Sequence, residues 1–352
     1  MKGNDIFDDP MSDMAESPRC ILVVLDFSVG DIVMNHTLLF LLKQYEPNLE
    51  IDVIALPMAQ GLIKRMPEVR KNFSLDVRST RLLSREWRDT CSDLREEDYE
   101  QAILIPRSTS VAWLTLFSKI RIRTSFKQVR PGLINDQRGE RPDNFYQKIT
   151  SLIPQEMPIP DHLPYPLLQT NEKEISETIG RFEMDISNKP LIVLAPGASR
   201  WSTKKWPIEH FVRLSGMLAE KYHVCVMGED REFDLGQAIS AEHPQEITNL
   251  CGKSSISEAV DVIAASECVI ANDSGLMHVA AAVRTPIIGI YGPTSPEAYP
   301  PLSDSKAICW RNTLCSPCYM NQCPYGHHAC MTEIAPQEIF EKLSGLVDVP
   351  PD

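Results

Sequence analysis

The chain has 352 residues, more than one ordinary core supports and a fitting length for two domains. Apolar residues make up 43% and charged residues 24%, as in a soluble globular protein, and no apolar run reaches the roughly 18 residues of a membrane-spanning helix. The formal net charge of −13, from 48 acids against 35 bases, argues against general nucleic-acid binding, which rests on neutralising phosphates with many cations.

Residues 1–18 are acidic and polar, lack the apolar core of an export signal, and read as a disordered leader. An apolar run over 20–25 predicts a buried strand, with a turn at Val29-Gly30-Asp31 and a helix over about 32–44. A short strand follows over 51–55, then a helix carrying Leu62, Ile63 and Met66, then a strand over 102–105. Short apolar runs separated by helical patterns predict βαβ units and a parallel sheet.

The segment 152–170 holds five prolines and no sustained period, so it marks the domain boundary. The alternation then restarts. Strands are expected over 191–194, 223–227, 268–271 and 287–290, with helices over 207–222, 256–265, 274–283 and 336–346. The division is a first α/β domain over 19–160, a second over 161–335 and a final helix and tail over 336–352, the helix free to pack back across the boundary. Two Rossmann-like halves place a ligand cleft between them, at the carboxyl ends of the strands.

Three segments border that cleft. Ser28-Val29-Gly30-Asp31 follows the first strand, and Asp31 either caps the next helix or presents a carboxylate that deprotonates a hydroxyl. The full G-x-G-x-x-G fingerprint of dinucleotide binding is missing. Ala195-Pro196-Gly197-Ala198-Ser199 and the following Trp201-Ser202-Thr203-Lys204-Lys205-Trp206-Pro207 form either a diphosphate cradle or a solvated loop with ordinary lysines. The most specific is Asn272-Asp273-Ser274-Gly275-Leu276-Met277-His278, where a strand ends and a helix begins, with its unpaired N–H groups facing the cleft.

Cys315, Cys318, Cys323 and Cys330, with His327 and His328 among them, belong to ten cysteines in a chain with no export signal. Four close thiolates suit a structural Zn or Fe. The other readings are packed free thiols or disulfides formed on oxidation. A basic run, Lys119, Arg121, Arg123, Lys127 and Arg130, is either a solvated face or a receiver for an anionic acceptor. Arg107-Ser108-Thr109-Ser110 occupies a similar place after a strand and is a second acceptor candidate.

VGD near the amino terminus, PGA…KKWP in mid-chain and NDSGLMHVAAA followed by YGPTSP together resemble glycosyltransferase family 9, over nearly the whole chain from Cys20 to Leu346. The resemblance implies a GT-B fold, two Rossmann-like domains facing across a cleft, and inverting transfer of heptose from ADP-heptose to the lipopolysaccharide inner core. It implies that Asp31 is the general base, that Lys204 contacts the donor phosphates and that Ser199 lies near the nucleotide. Asp273, Ser274, Gly275 and His278 then bind diphosphate and sugar. Glu229 matches the acid on the adenosine ribose, with Asp230 selected by a one-residue shift. Some relatives carry a lysine six residues before the VGD aspartate, where this chain has Leu25.

Arg107, Ser108, Arg121 and Arg123 are the acceptor-side candidates. No cofactor is required for chemistry. The acceptor implies a peripheral enzyme at the cytoplasmic face of a Gram-negative inner membrane. Two alternatives stay open: a family member with another donor or acceptor, in capsule or glycoprotein synthesis, and a non-catalytic nucleotide-binding module.

Overall fold

The computed structural model describes residues 19–127, 132–198 and 201–347. The expected leader, Arg130, Ser199 and the last residues of the tail lie outside them. The first half contains β1 (Cys20–Val24), β2 (Glu50–Ala55), β3 (Val69–Ser74), β4 (Gln101–Leu104), β5 (Ile122–Ser125) and β6 (Asp136–Gln137). Its helices are α1 (Val29–Tyr45), α2 (Gln60–Ile63), α3 (Arg85–Glu96), α4 (Thr109–Phe117) and α5 (Phe145–Thr150). The second half contains β7 (Leu191–Ala195), β8 (His223–Val226), β9 (Ile247–Asn249), β10 (Cys268–Asn272), β11 (Ile287–Tyr291) and β12 (Lys306–Trp310). With them come α6 (Glu172–Arg181), α7 (Ile208–Ala219), α8 (Phe233–Ser240), α9 (Ile256–Ala264), α10 (Gly275–Ala282), α11 (Ala329–Thr332) and α12 (Pro336–Ser344).

The two sheets run β3-β2-β1-β4-β5-β6 and β12-β11-β10-β7-β8-β9, and every strand pair is parallel. Each is the doubly wound order, one read in the opposite direction from the other. Such a sheet opens a crevice at the carboxyl ends of its two central strands, here β1 and β4 in one domain and β7 and β10 in the other. This is the α/β, GT-B arrangement of two Rossmann-like domains expected from the sequence.

Alternation along the central strands divides the core. Ile21 and Val23 of β1 point to one cluster and Leu22 and Val24 to another. The first cluster is shared: it includes Leu191 and Val193 of β7, Val269 of β10, and α1, α9 and α10. The two domains therefore meet through apolar packing, chiefly α1 on α10. The crossover around residues 160–170 is stitched to both halves, Leu168 N–H donating to Ala282 O at 2.9 Å and Gln169 N–H to Arg65 O at 2.9 Å. The final helix does not return across the boundary. Its Ile339 and Leu343 enter the core of the second sheet, against α7 and β11.

Candidate active site

Ser28, in extended conformation, is the N-cap of α1. Its Oγ accepts from the Asp31 N–H at 3.2 Å and donates to Asp31 Oδ2 at 2.6 Å. The capping duty falls on Ser28, and Asp31 stands in the first turn with its side chain 37% exposed. Behind it lies a buried charge. Lys148 of α5, wholly buried, reaches Asp26 Oδ2 at 2.5 Å and stands 4.0 Å from Asp31 Oδ1. Arg141 and Asn35 each approach Asp26 Oδ2 at 3.4 Å. The position six residues before Asp31 is filled by Leu25, 1% exposed, so the lysine near this turn arrives from α5.

Across the cleft α10 begins at Gly275, and the two helix starts touch. A Cβ at Gly30 would stand 2.9 Å from His278 Cδ2 and 3.3 Å from Gly275 Cα, and one at Gly275 3.0 Å from Val29 Cβ. Only glycine permits this approach, which brings two partially positive helix ends to one place. Asp31 therefore faces the start of α10, with Asp273 directly before it.

Asp273 joins two loops of the second domain. Its Oδ2 accepts from Lys204 Nζ at 2.7 Å and from Thr294 Oγ1 at 2.7 Å. Trp206, buried, anchors the KKWP loop by donating Nε1–H to Ile334 O at 2.9 Å and its backbone N–H to Asn272 Oδ1 at 3.2 Å. Asn272 Nδ2 in turn donates to Pro196 O at 2.7 Å. His278 is buried between these groups, its Nδ1 without a hydrogen-bond partner. Burial pushes its pKa below the ordinary value, Asp273 and Asp31 oppose that shift, and Lys204 adds to it. The imidazole is neutral at neutral pH.

Glu229 and Asp230 lie past the end of β8 at the surface, and Glu229 pairs with Arg231 at 3.0 Å. The neighbour Glu232 is the enclosed one, 2% exposed. Its carboxylate lies under the PGA turn, 2.6 Å from where a Cβ of Gly197 would be. Its Oε2 accepts from the Glu229 N–H at 2.8 Å, and its Oε1 has no hydrogen-bond partner. The capping-box spacing from Glu229 to Glu232 was the available signal.

On the first domain, Arg107 is exposed and Ser108 caps α4, both just past β4 and therefore at the cleft end of the sheet. Two acceptor candidates are corrected. Arg121 precedes β5, at the amino end of the sheet, and pairs with Glu100 at 3.0 Å. Arg123 points into the domain, where its guanidinium donates to Leu133 O and Ile120 O, both at 2.7 Å. Other cations lie past the carboxyl ends: Arg78 after β3, its guanidinium 5.3 Å over the Phe27 ring, Lys127 after β5, paired with Glu140, and Arg138 and Arg141 after β6.

The four clustered cysteines are free thiols. Cys323 is held below the usual thiol range by backbone N–H groups, that of His328 foremost. Cys330 is pushed up to about 11 by burial and then by the neighbouring Cys315, Cys318 and Cys323. Among the described residues no three His, Cys, Asp or Glu side chains form a group arranged to hold a metal ion.

The model of glycosyltransferase family 9 (heptosyltransferase) matches residues 87–329. The lipooligosaccharide heptosyltransferase 2 of Haemophilus ducreyi is 34% identical, over 93% of this chain and 99% of its own length. The lipopolysaccharide heptosyltransferase 2 of Escherichia coli K12 is 32% identical over 93% and 98%. The solved structure of E. coli ADP-heptose lps heptosyltransferase II superposes with a TM-score of 0.81 at 32% identity, covering 93% of this chain and 98% of that one.

Proposed function

The chain belongs to glycosyltransferase family 9, and from that membership we propose that it is an inverting heptosyltransferase, moving heptose from ADP-L-glycero-D-manno-heptose to the lipopolysaccharide inner core. The observation that carries the mechanism is the contact of α1 with α10, which sets a half-exposed carboxylate opposite a helix start backed by Lys204.

The acceptor hydroxyl gives its proton to Asp31, whose Oδ1 is not taken up by Ser28. The acceptor oxygen bonds to the anomeric carbon as the bond from that carbon to the diphosphate oxygen breaks. The departing ADP carries the negative charge away from the sugar. Lys204 and the N–H groups at Ser274 and Gly275 meet that charge, in a site whose dipoles are already oriented. Thr294 and Asp273 keep Lys204 aimed at it. Charge borne in this way leaves no step that requires a metal. The cysteine cluster is where a structural Zn or Fe would sit as a thiolate complex; as placed, the thiols do not form such a group, and no step runs through it.

The enclosed Glu232, whose Oε1 accepts no hydrogen bond and lies 3.6 Å from Arg231 Nε, is better suited to accept ribose hydroxyls than the exposed Glu229. Arg78, Arg107, Arg138 and Arg141, all past the carboxyl ends of strands of the first sheet, suit an anionic acceptor core. A lipid-anchored acceptor brings a membrane surface to that side. Leu82 and Leu83, 50% and 54% exposed, lie in the loop that carries Arg78 and suit peripheral contact at the cytoplasmic face. Among the described residues no helix is long and apolar enough to cross a membrane.

Incubation with ADP-heptose and defined truncated cores, followed by mass spectrometry, tests the function. The product is one core gaining a single heptose as ADP appears. A core left unmodified with every truncation, or modified only with another nucleotide sugar, would overturn the assignment.

A further inference from the structure

We propose that the segment from Thr313 to Met331 is a positioning clasp for the donor loop, with His328 as its principal positioning residue. The inference rests on the reading of Lys204 as a ligand of the donor diphosphate.

Lys204 is carried on a single 3₁₀ turn, residues Ser202–Lys204, closed by Lys204 N–H to Trp201 O at 3.2 Å and Lys205 N–H to Ser202 O at 3.1 Å. One such turn does not hold its own shape. Three bonds to the cysteine segment supply the rest. Ser202 Oγ donates to Asn321 O at 2.9 Å and Thr203 Oγ1 to Met320 O at 2.6 Å. His328 Nε2 lies 2.6 Å from Thr203 O, a carbonyl that only accepts, so the ring donates. His328 adopts the left-handed region at φ 51°, a conformation that persists where the surroundings impose it.

The same segment grips the other arm of the site. Tyr319 N–H donates to Pro293 O at 2.8 Å and Ser316 Oγ to Gly292 O at 2.5 Å. These carbonyls directly precede Thr294, whose hydroxyl meets Asp273 Oδ2, the oxygen that also receives Lys204. One excursion of the chain therefore fixes both loops that converge on Asp273. It is anchored beneath by Cys330 and Met331 in the core of the second sheet. None of its own side chains needs to touch the donor.

Calorimetric titration of the full chain with ADP tests this. His328→Ala should weaken ADP about tenfold, the scale of one lost hydrogen bond. His328→Gln, which restores a donor near the Nε2 position, should recover most of that loss. The KM for the donor should rise while the KM for the acceptor stays unchanged. In a Lys204→Ala background the His328→Ala effect should nearly vanish, because the clasp acts through Lys204. Should His328→Ala fail to fold, Thr203→Val, which removes the hydroxyl bond to Met320, is judged by the same criteria. Folded variants that bind ADP as the wild type does, or lose equal affinity with and without Lys204, overturn the clasp alone. A wild-type protein that binds no ADP overturns the donor reading and the clasp together.

Discussion

Lys148, wholly buried, holds its ammonium 2.5 Å from Asp26 and 4.0 Å from Asp31. The charge behind the candidate base thus comes from α5, which is tied to the second domain through Phe145 N–H donating to Ala298 O at 3.1 Å. Removing that ammonium leaves a buried carboxylate short of its main partner. Lys148→Met should lower stability toward the lower end of about 3–5 kcal/mol, since Arg141 and Asn35 remain near Asp26. Urea denaturation of Lys148→Met, Asp26→Asn and the double variant checks this. The double variant should lose clearly less than the two single losses added together. Additive losses would show that the pair is not coupled.

Lys204→Ala should weaken ADP-heptose binding by about ten- to a hundredfold, the scale of a charge-assisted phosphate contact of about 1.5–3 kcal/mol. Lys205→Ala should change it little, because only Lys204 reaches Asp273. Donor titrations of both variants decide the matter, and equal effects or the reverse order would contradict the assignment.

The architecture was legible because both sheets are built on apolar β1, β4, β7, β8, β10 and β11, whose runs are recognisable without context. The polar strands were not. β3, at the edge of the sheet, reads Val-Arg-Lys-Asn-Phe-Ser, and β5, between β4 and β6, reads Ile-Arg-Thr-Ser, sequences easily taken for polar surface. That is why Arg121 and Arg123 looked like a basic face when one lies at the far end of β5 and the other is consumed by carbonyls. The glycine turns and the NDSG helix start were visible because they are local. Asp26 with Lys148, and Thr294 with Asp273, are pairings distant in sequence, with no spacing to mark them.

His278 carries a pKa lowered chiefly by burial. The unfolded chain takes its proton near the ordinary value of about 6.5, and the folded protein only below that. Stability is therefore full above about pH 6.5 and declines as pH falls toward the folded value. Thermal melts from pH 7.5 to 5 should show a shallower decline for His278→Gln than for the wild type. His223, shifted in the same direction by burial, contributes equally to both curves. Parallel curves would contradict a neutral buried His278.

Turnover should survive chelation. Lys204 and the start of α10 bear the diphosphate charge, so excess EDTA should leave the initial rate within about twofold of the untreated enzyme. A rate abolished by EDTA and restored by added Mg²⁺ would place a metal in the chemical step.

The central claim is that Asp31 takes the acceptor proton across the cleft from α10. The most direct measurement pairs the turnover of Asp31→Asn with its affinity for ADP. The substitution keeps the shape and the bond from Ser28, and Asp31 lies on the face opposite the donor loops. Turnover should fall by about 10²–10⁴-fold, the usual contribution of a general base, while the Kd for ADP stays within a few-fold of the wild type. An Asp31→Asn enzyme with nearly full turnover would contradict the account.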